Sequence, residues 1–124
     1  MIVGIGCDII DIARMKRQIE NDAEFIAHLF TSKEISYCLG KRYLERHFAA
    51  RFAAKEAFFK AISDGHRVEI PWHDIEVTNG ESGRPILAVI GIASKIAEAR
   101  KARNIFLTMA HSARYAMANV ILES

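Results

Sequence analysis

The middle of the chain constrains its fold most: Arg46-His47-Phe48-Ala49-Ala50-Arg51-Phe52-Ala53-Ala54-Lys55-Glu56-Ala57-Phe58-Phe59-Lys60-Ala61-Ile62. Placed on a helix at about 100° per residue, Ala49, Ala50, Ala53, Ala54, Ala57 and Ala61 gather on one broad side. Phe48, Phe52 and Phe59 form a narrower apolar stripe opposite. Two charged seams run between them, Arg51 with Lys55 and Glu56 with Lys60. A surface helix carries one wide polar face, and this one has little polar area beyond those charges. It is therefore expected to be buried on two sides, with the alanines admitting another element at close range. Its charges then lie beside packed surface and need partners, because an isolated buried charge is very costly.

The helix is expected over 44–63, ended by Asp64-Gly65. Around it, 124 residues suit one domain, 1–124, and a chain of that size buries roughly two-thirds of its unfolded surface. Hydrophobic residues at 51% and charged residues at 26% exclude disorder. Residues 2–7 read as a buried strand ending at Asp8. Asp11 can cap a following helix, with Ile12, Met15 and Ile19 inward and Arg14 and Arg17 outward. Thr31-Ser32-Lys33-Glu34 is a capping box with Phe30 and Ile35 as its staple; that helix should stop at Gly40.

Ile75-Glu76-Val77 and Ile86–Ile90 form a hairpin across the turn-rich 79–85. Residues 92–102 form an amphipathic helix with Ile92, Ile96 and Ala99 inward, and strands follow at 105–110 and 115–122. Mixed helices and strands, with the strands clustered in the second half, indicate an α+β fold. Cys7 and Cys38 are too few for a disulfide framework and read as two reduced thiols of a cytoplasmic protein. No apolar run approaches the roughly 18–20 residues of a membrane span. The apolar start, lacking a positive n-region, is not expected to be a signal peptide.

Two readings of the charged seams stay open. Glu56 precedes Lys60 by four residues, the favourable order for a helical ion pair worth about 0.2–0.5 kcal/mol. Alternatively Glu56 holds a metal while Arg51, Lys55 and Lys60 face phosphates. Oxygen ligands suit Mg²⁺, which takes one or two protein carboxylates, waters and substrate phosphates. Asp8 is the second carboxylate in that reading; otherwise it is a turn or cap residue.

Four segments resemble the motifs of holo-[acyl carrier protein] synthases. Gly4-Ile5-Gly6-Cys7-Asp8-Ile9-Ile10-Asp11-Ile12-Ala13-Arg14 is similar to their N-terminal G-x-G-x-D motif, and Phe52–Ala61 to their F-A-x-K-E-A-x-x-K-A motif. Ser82-Gly83-Arg84-Pro85 resembles their G-K/R-P turn, and His111–Ala118 their final hairpin. The order and spacing match over essentially the whole chain. Two departures stand out: Ile62–Arg67, where the family often has a Gly-rich turn, and the run through Pro71-Trp72.

The resemblance implies a 4′-phosphopantetheinyl transferase fold, a small antiparallel sheet packed with a long central helix and shorter helices. It implies transfer of 4′-phosphopantetheine from coenzyme A to a serine of an acidic apo acyl carrier protein, releasing adenosine 3′,5′-bisphosphate. By their motif positions, Asp8 and Glu56 would bind Mg²⁺ and Lys60 would neutralise charge as the phosphorus–oxygen bond breaks. Arg51 and His111 would hold phosphate, the 3′-phosphate of coenzyme A foremost, and Gly83, Arg84 and Pro85 would present backbone to the adenine. Arg14, with Arg17 second to it, would meet the carrier's acidic helix, although such a pair is also an ordinary solvated face. No general base stands out; a water, Asp8 or Glu56 are the options. Phosphoryl transfer is mostly positioning and electrostatics, so these residue types suffice. The family further implies a homotrimer with sites between subunits. A helix with so many faces to bury in so short a chain points the same way.

Two other functions compete. Six cations at 41, 42, 46, 51, 55 and 60 stand against Glu45 and Glu56, a local excess of +4 that could mark a nucleic-acid-binding module. Its aromatics, however, follow a helical stripe rather than spreading over a sheet for stacking, so no nucleic-acid partner is expected. A metal-dependent pyrophosphohydrolase would need more acidic ligands than this chain groups together.

Overall fold

The expected central helix forms as α4 (Leu44–Ser63), 20 residues without Gly or Pro, so nothing in it interrupts the helical ladder. The rest of the computed structural model wraps around it. Before it come β1 (Ile2–Asp11), α1 (Ile12–Asn21), α2 (Phe25–Leu29) and α3 (Ser32–Leu39). After it come a 3-10 turn (Trp72–Asp74), β2 (Ile75–Asn79), β3 (Pro85–Val89), α5 (Gly91–Ala99), β4 (Asn104–His111) and β5 (Tyr115–Glu123). All residues except Asp64 and Arg67 are described, so the expected Asp64-Gly65 helix stop falls partly outside the described residues. Among the described residues, no helix is long and apolar enough to cross a membrane. Cys7 and Cys38 are both free.

Two antiparallel sheets form, one in the order β1-β5-β4 and the other the β2-β3 hairpin. The inner face of the larger sheet presents Ala116, Ala118, Val120 and Leu122 of β5, all buried, to α4. α1, α2, α3, the 3-10 turn and β2 cover the helix elsewhere, and Phe48 and Phe58 are wholly enclosed. Each such ring contributes about 1.5–3 kcal/mol of burial. The helix is thus buried on two sides, as its pattern requires, but one chain supplies both sides. Its composition alone therefore gives no argument for a trimer.

The G-x-G of the N-terminal motif has a packing cause. Along β1 the side chains alternate, and Gly4, Gly6 and Asp8 face α4. A Cβ on Gly6 would run into the carbonyl oxygen of Ala57, and one on Gly4 into that of Ala61. Glycine on the strand and alanine on the helix let the two backbones meet.

Several local expectations need correction. β1 does not end at Asp8 but runs to Asp11, with Asp8 paired to Ala118 and Asp11 to Tyr115. Asp8 is therefore neither turn nor cap. Nor is β1 buried on both faces: Ile5 is 69% exposed and Ile9 63%. α5 is shorter than 92–102; the chain leaves the helix after Ala99 and Lys101 takes a φ of 60°. Its inward residues are Ala93 and Ala97, with Ile96 half-buried, whereas Ile92 and Ala99 are exposed. α2 went unanticipated, because a five-residue helix without a side-chain cap leaves no periodic signal. The Asp11 cap, accepting from the Arg14 N–H at 3.0 Å, and the Thr31–Glu34 capping box both form as expected.

Candidate active site

The strand–helix contact that needs Gly4 and Gly6 also builds the acidic site. Two residues beyond Gly6 on the same face, Asp8 emerges beside the last turns of α4. Lys60 Nζ donates to Asp8 Oδ1 and to the Cys7 carbonyl oxygen, both at 3.0 Å. The ammonium remains half-exposed, while Asp8 is largely covered. The bond to Asp8 raises the lysine's pKa above its ordinary value against the opposing effect of burial. The helical pair Glu56–Lys60 does not form, since Lys60 reaches across to the strand.

Glu56 lies one turn before Lys60. Burial pushes its pKa up, the negative charge of Asp8 pushes it further, and Lys60 opposes both. It opens into a groove of about 660 Å³ walled by Phe59, Ile70, Trp72 and Ile92. Two carboxylates close enough to sense each other, one of them bonded to the Lys60 ammonium, are a donor pair suited to Mg²⁺. That ion needs only one or two protein carboxylates and draws its other ligands from water and phosphate. Among the described residues, no group of three or more potential ligands exists that would enclose a metal in protein alone.

The other half of α4 carries a cluster of different character. Arg51 is 2% exposed. Its Nη2 donates to Asn79 Oδ1 at 2.7 Å, its guanidinium lies 4.1 Å from the Tyr37 ring centroid, and its buried Nε has no partner among the described residues. Asn79 Nδ2 in turn donates to the Gly83 carbonyl at 2.9 Å. Arg51 is thereby tied to the β2–β3 turn that carries Gly83, Arg84 and Pro85. Gly83 has φ +80°, a left-handed conformation that other residues rarely adopt. His111, at the end of β4, is exposed and stands 5.3 Å from His47, ring centroid to ring centroid.

Arg14 and Arg17 project from α1. Arg14 borders an apolar groove of about 460 Å³ that includes Ile9, Met15, Phe25 and Phe52. Arg17 shares an exposed patch with Arg14, Gln18 and Asn21. The structure therefore groups Asp8 with Glu56 and Lys60, and Arg51 with the 79–85 turn and the histidines. Arg14 and Arg17 stand apart on α1. Residues 51 and 56 differ by about 140° around the helix, so the two clusters on α4 point different ways.

Lys55 does not face phosphates. It is wholly buried and pairs with Glu34 Oε1 at 2.7 Å, with further bonds to the carbonyls of Leu29 at 2.8 Å and Trp72 at 3.2 Å. Glu34 is thus more than a capping-box residue, since its Oε2 also accepts from the Val77 N–H at 2.8 Å. With Lys55 and Arg51 withdrawn, the basic excess of residues 41–60 at the surface falls from +4 to +2. Phe48 lies in the core, and Phe52 and Phe59 both contact Trp72, at 5.5 and 5.0 Å. No aromatic platform of the kind a nucleic-acid interface uses is left among them. Sequence reasoning missed Glu34, Asn79, Tyr37 and His47. Their partners lie on other elements, and only the Thr31–Glu34 spacing gave any signal.

The fold and these clusters define a phosphopantetheinyl transferase. The chain belongs to the 4′-phosphopantetheinyl transferase superfamily, whose family model matches residues 4–119. Among its curated relatives, the holo-[acyl-carrier-protein] synthase of Geobacter sulfurreducens is 44% identical over 124 residues, covering 99% of this chain and 98% of that protein. The one from Geotalea daltonii is 40% identical, covering 99% of each. The crystal structure of a holo-(acyl-carrier-protein) synthase from Bacillus anthracis in complex with CoA (3′,5′-ADP) is similar with a TM-score of 0.82 and 34% identity, covering 100% of this chain and 98% of that one. That of the Neisseria meningitidis synthase reaches 0.87 at 29% identity and covers both chains fully. The expected family and α+β fold are thereby shown.

Proposed function

We propose that this chain, acting as one catalytic domain over residues 1–124, transfers 4′-phosphopantetheine from coenzyme A to a serine of an acidic apo acyl carrier protein. The convergence of Asp8, Glu56 and Lys60 carries this reading. A pyrophosphate that is to be split needs its charge offset, and a carboxylate pair with an adjacent ammonium is what the transfer uses. Bound Mg²⁺, held by Asp8 and Glu56, would supply Lewis-acid neutralisation of that pyrophosphate. The carrier's serine hydroxyl gives up its proton, to a water, Asp8 or Glu56, as its oxygen forms the new bond to the pantetheine-side phosphorus. The bond from that phosphorus to the bridging oxygen breaks, and adenosine 3′,5′-bisphosphate leaves. Lys60 offsets the charge that gathers on the departing oxygen.

At the adenosine end, Arg51 and His111 hold the phosphate, and the backbone of Gly83, Arg84 and Pro85 meets the base. Arg14, with Arg17 beside it, meets the carrier's acidic helix. The nucleophile belongs to the partner, so this chain needs no serine or cysteine of its own. The working form is a homotrimer in the cytoplasm with its sites between subunits, so that the two clusters on one α4 serve different sites. Incubating the protein with coenzyme A, Mg²⁺ and an apo acyl carrier protein should raise the carrier's mass by about 340 Da, one phosphopantetheine. An unchanged carrier mass, or coenzyme A cleaved without a carrier, would reject the proposal.

A further inference from the structure

His47 has no part in the function just described, yet the fold sets it among that site's cations. Its ring meets His111 edge-to-face at 5.3 Å and Tyr37 at 5.9 Å. Tyr37, on α3, also carries Arg51 at 4.1 Å and Lys41 at 4.6 Å over its ring. The charged groups that act on His47 are Lys41 from the α3–α4 connection, Arg46 and Arg51 from α4, and His111 from β4. Tyr37 is a further titratable neighbour, and no carboxylate is among the charges that act on His47. Glu34, the acid of α3, is engaged by Lys55. Arg51, almost wholly buried, keeps an Nε without a partner among the described residues. Burial first, then His111 and the three permanent cations, hold the His47 imidazole below its ordinary pKa. A dianion placed among these groups reverses the sign of the local field.

We propose that His47 is a further phosphate-binding residue, which with His111 and Arg51 receives the 3′-phosphate of coenzyme A. The imidazole takes up a proton as the dianion arrives and then donates a charge-assisted hydrogen bond to it. This rests on the transferase reading above and adds to it a residue and a proton linkage. It also predicts discrimination by the 3′-phosphate, since coenzyme A lacking that group offers His47 nothing to pair with.

The test is calorimetric titration of the full chain with coenzyme A and with 3′-dephospho-coenzyme A, each at neutral pH in two buffers of different ionisation enthalpy. The wild-type protein should take up protons on binding coenzyme A and not on binding the dephospho form. His47→Gln should lose that uptake and bind coenzyme A about tenfold more weakly, the worth of one charge-assisted hydrogen bond. Its affinity for the dephospho form should not change, which also shows the variant to be folded. Undiminished proton uptake in His47→Gln overturns the assignment while leaving the transferase reading intact. Equal loss of both ligands in His47→Gln and His47→Asn also overturns it, because the residue would then support the fold rather than the phosphate. A wild-type protein that binds no coenzyme A overturns the transferase reading, and this inference with it.

Discussion

Glu56 illustrates how a single residue's environment sets a testable property. Burial and the neighbouring Asp8 charge make its ionised form the costly one in the metal-free protein. Glu56→Gln should therefore stabilise that protein at neutral pH, by up to about 1 kcal/mol because the carboxylate is partly solvated. A carboxylate with a raised folded-state pKa adds stability below its unfolded pKa and loses it as the pH rises. The advantage of Glu56→Gln should therefore shrink as the pH falls through the raised value and be gone below the ordinary carboxylate value, where the wild-type residue is protonated in both states. Mg²⁺ should invert the order, raising the Tm of the wild type and leaving that of Glu56→Gln unmoved. Thermal melts across pH, with and without Mg²⁺, check both halves. The affinity for Mg²⁺ should also fall on acidification, since protonated Glu56 is a poor metal ligand. At this scale Asp8 and Glu56 were legible as a candidate pair. What could not be read was that Lys60 turns to Asp8 instead of Glu56, because that depends on a strand 52 residues away.

Between elements, two contacts hold the site in place. The buried Lys55–Glu34 pair joins α4 to α3, and the other bonds of the two residues reach Leu29, Trp72 and Val77. Lys55→Met would strand the Glu34 carboxylate without its counter-charge, so a loss of roughly 3–5 kcal/mol in urea unfolding is expected. Adding Glu34→Gln should recover part of it, since the amide oxygen can still accept from a backbone N–H. A loss below about 1 kcal/mol would mean that the pair does not bind these elements together. The second contact is β1 against α4. Gly6→Ala places a methyl group on the Ala57 carbonyl, and such overpacking costs roughly 1–3 kcal/mol. Because Asp8 rides on the same strand, the variant should also weaken Mg²⁺ binding, measured by the metal-induced rise in Tm. The long helix, the capping box and the hairpin were legible because their signals are local: periodicity, caps and turn residues. α2 and the inward face of α5 were not, because neither carries a wide apolar stripe and packing decided both.

For the whole molecule, the outer face of the β1-β5-β4 sheet matters most. Ile5 pairs with Ile121, which pairs with Phe106, and Ile9 pairs with Met117. Ile5, Ile9, Phe106 and Met117 are all at least 40% exposed, so an apolar surface runs across three strands. These apolar rows are separated by the Cys7–Asn119–Thr108 row, and exposed apolar surface of this kind favours an interface, which supports the proposed trimer where the helix composition does not. Light scattering should give three chains for the wild type and one for the double variant Ile5→Glu, Met117→Glu. Because a single chain covers α4 on both sides, that monomer should keep its helical circular dichroism while losing transfer. An active monomer would contradict shared sites. The sequence by itself determined the long helix, the capping box, the hairpin and the family, and offered candidate residues for the chemistry, because caps, periodicity and ordered motifs are properties of neighbouring residues. Only the tertiary structure decided which charges meet. It buried Lys55 against Glu34, turned Lys60 to Asp8 and set His47 and Arg51 against Tyr37, with His111 against His47. Long-range pairs form where packed backbones bring them together, and glycine on β1 meeting alanine on α4 sets that approach.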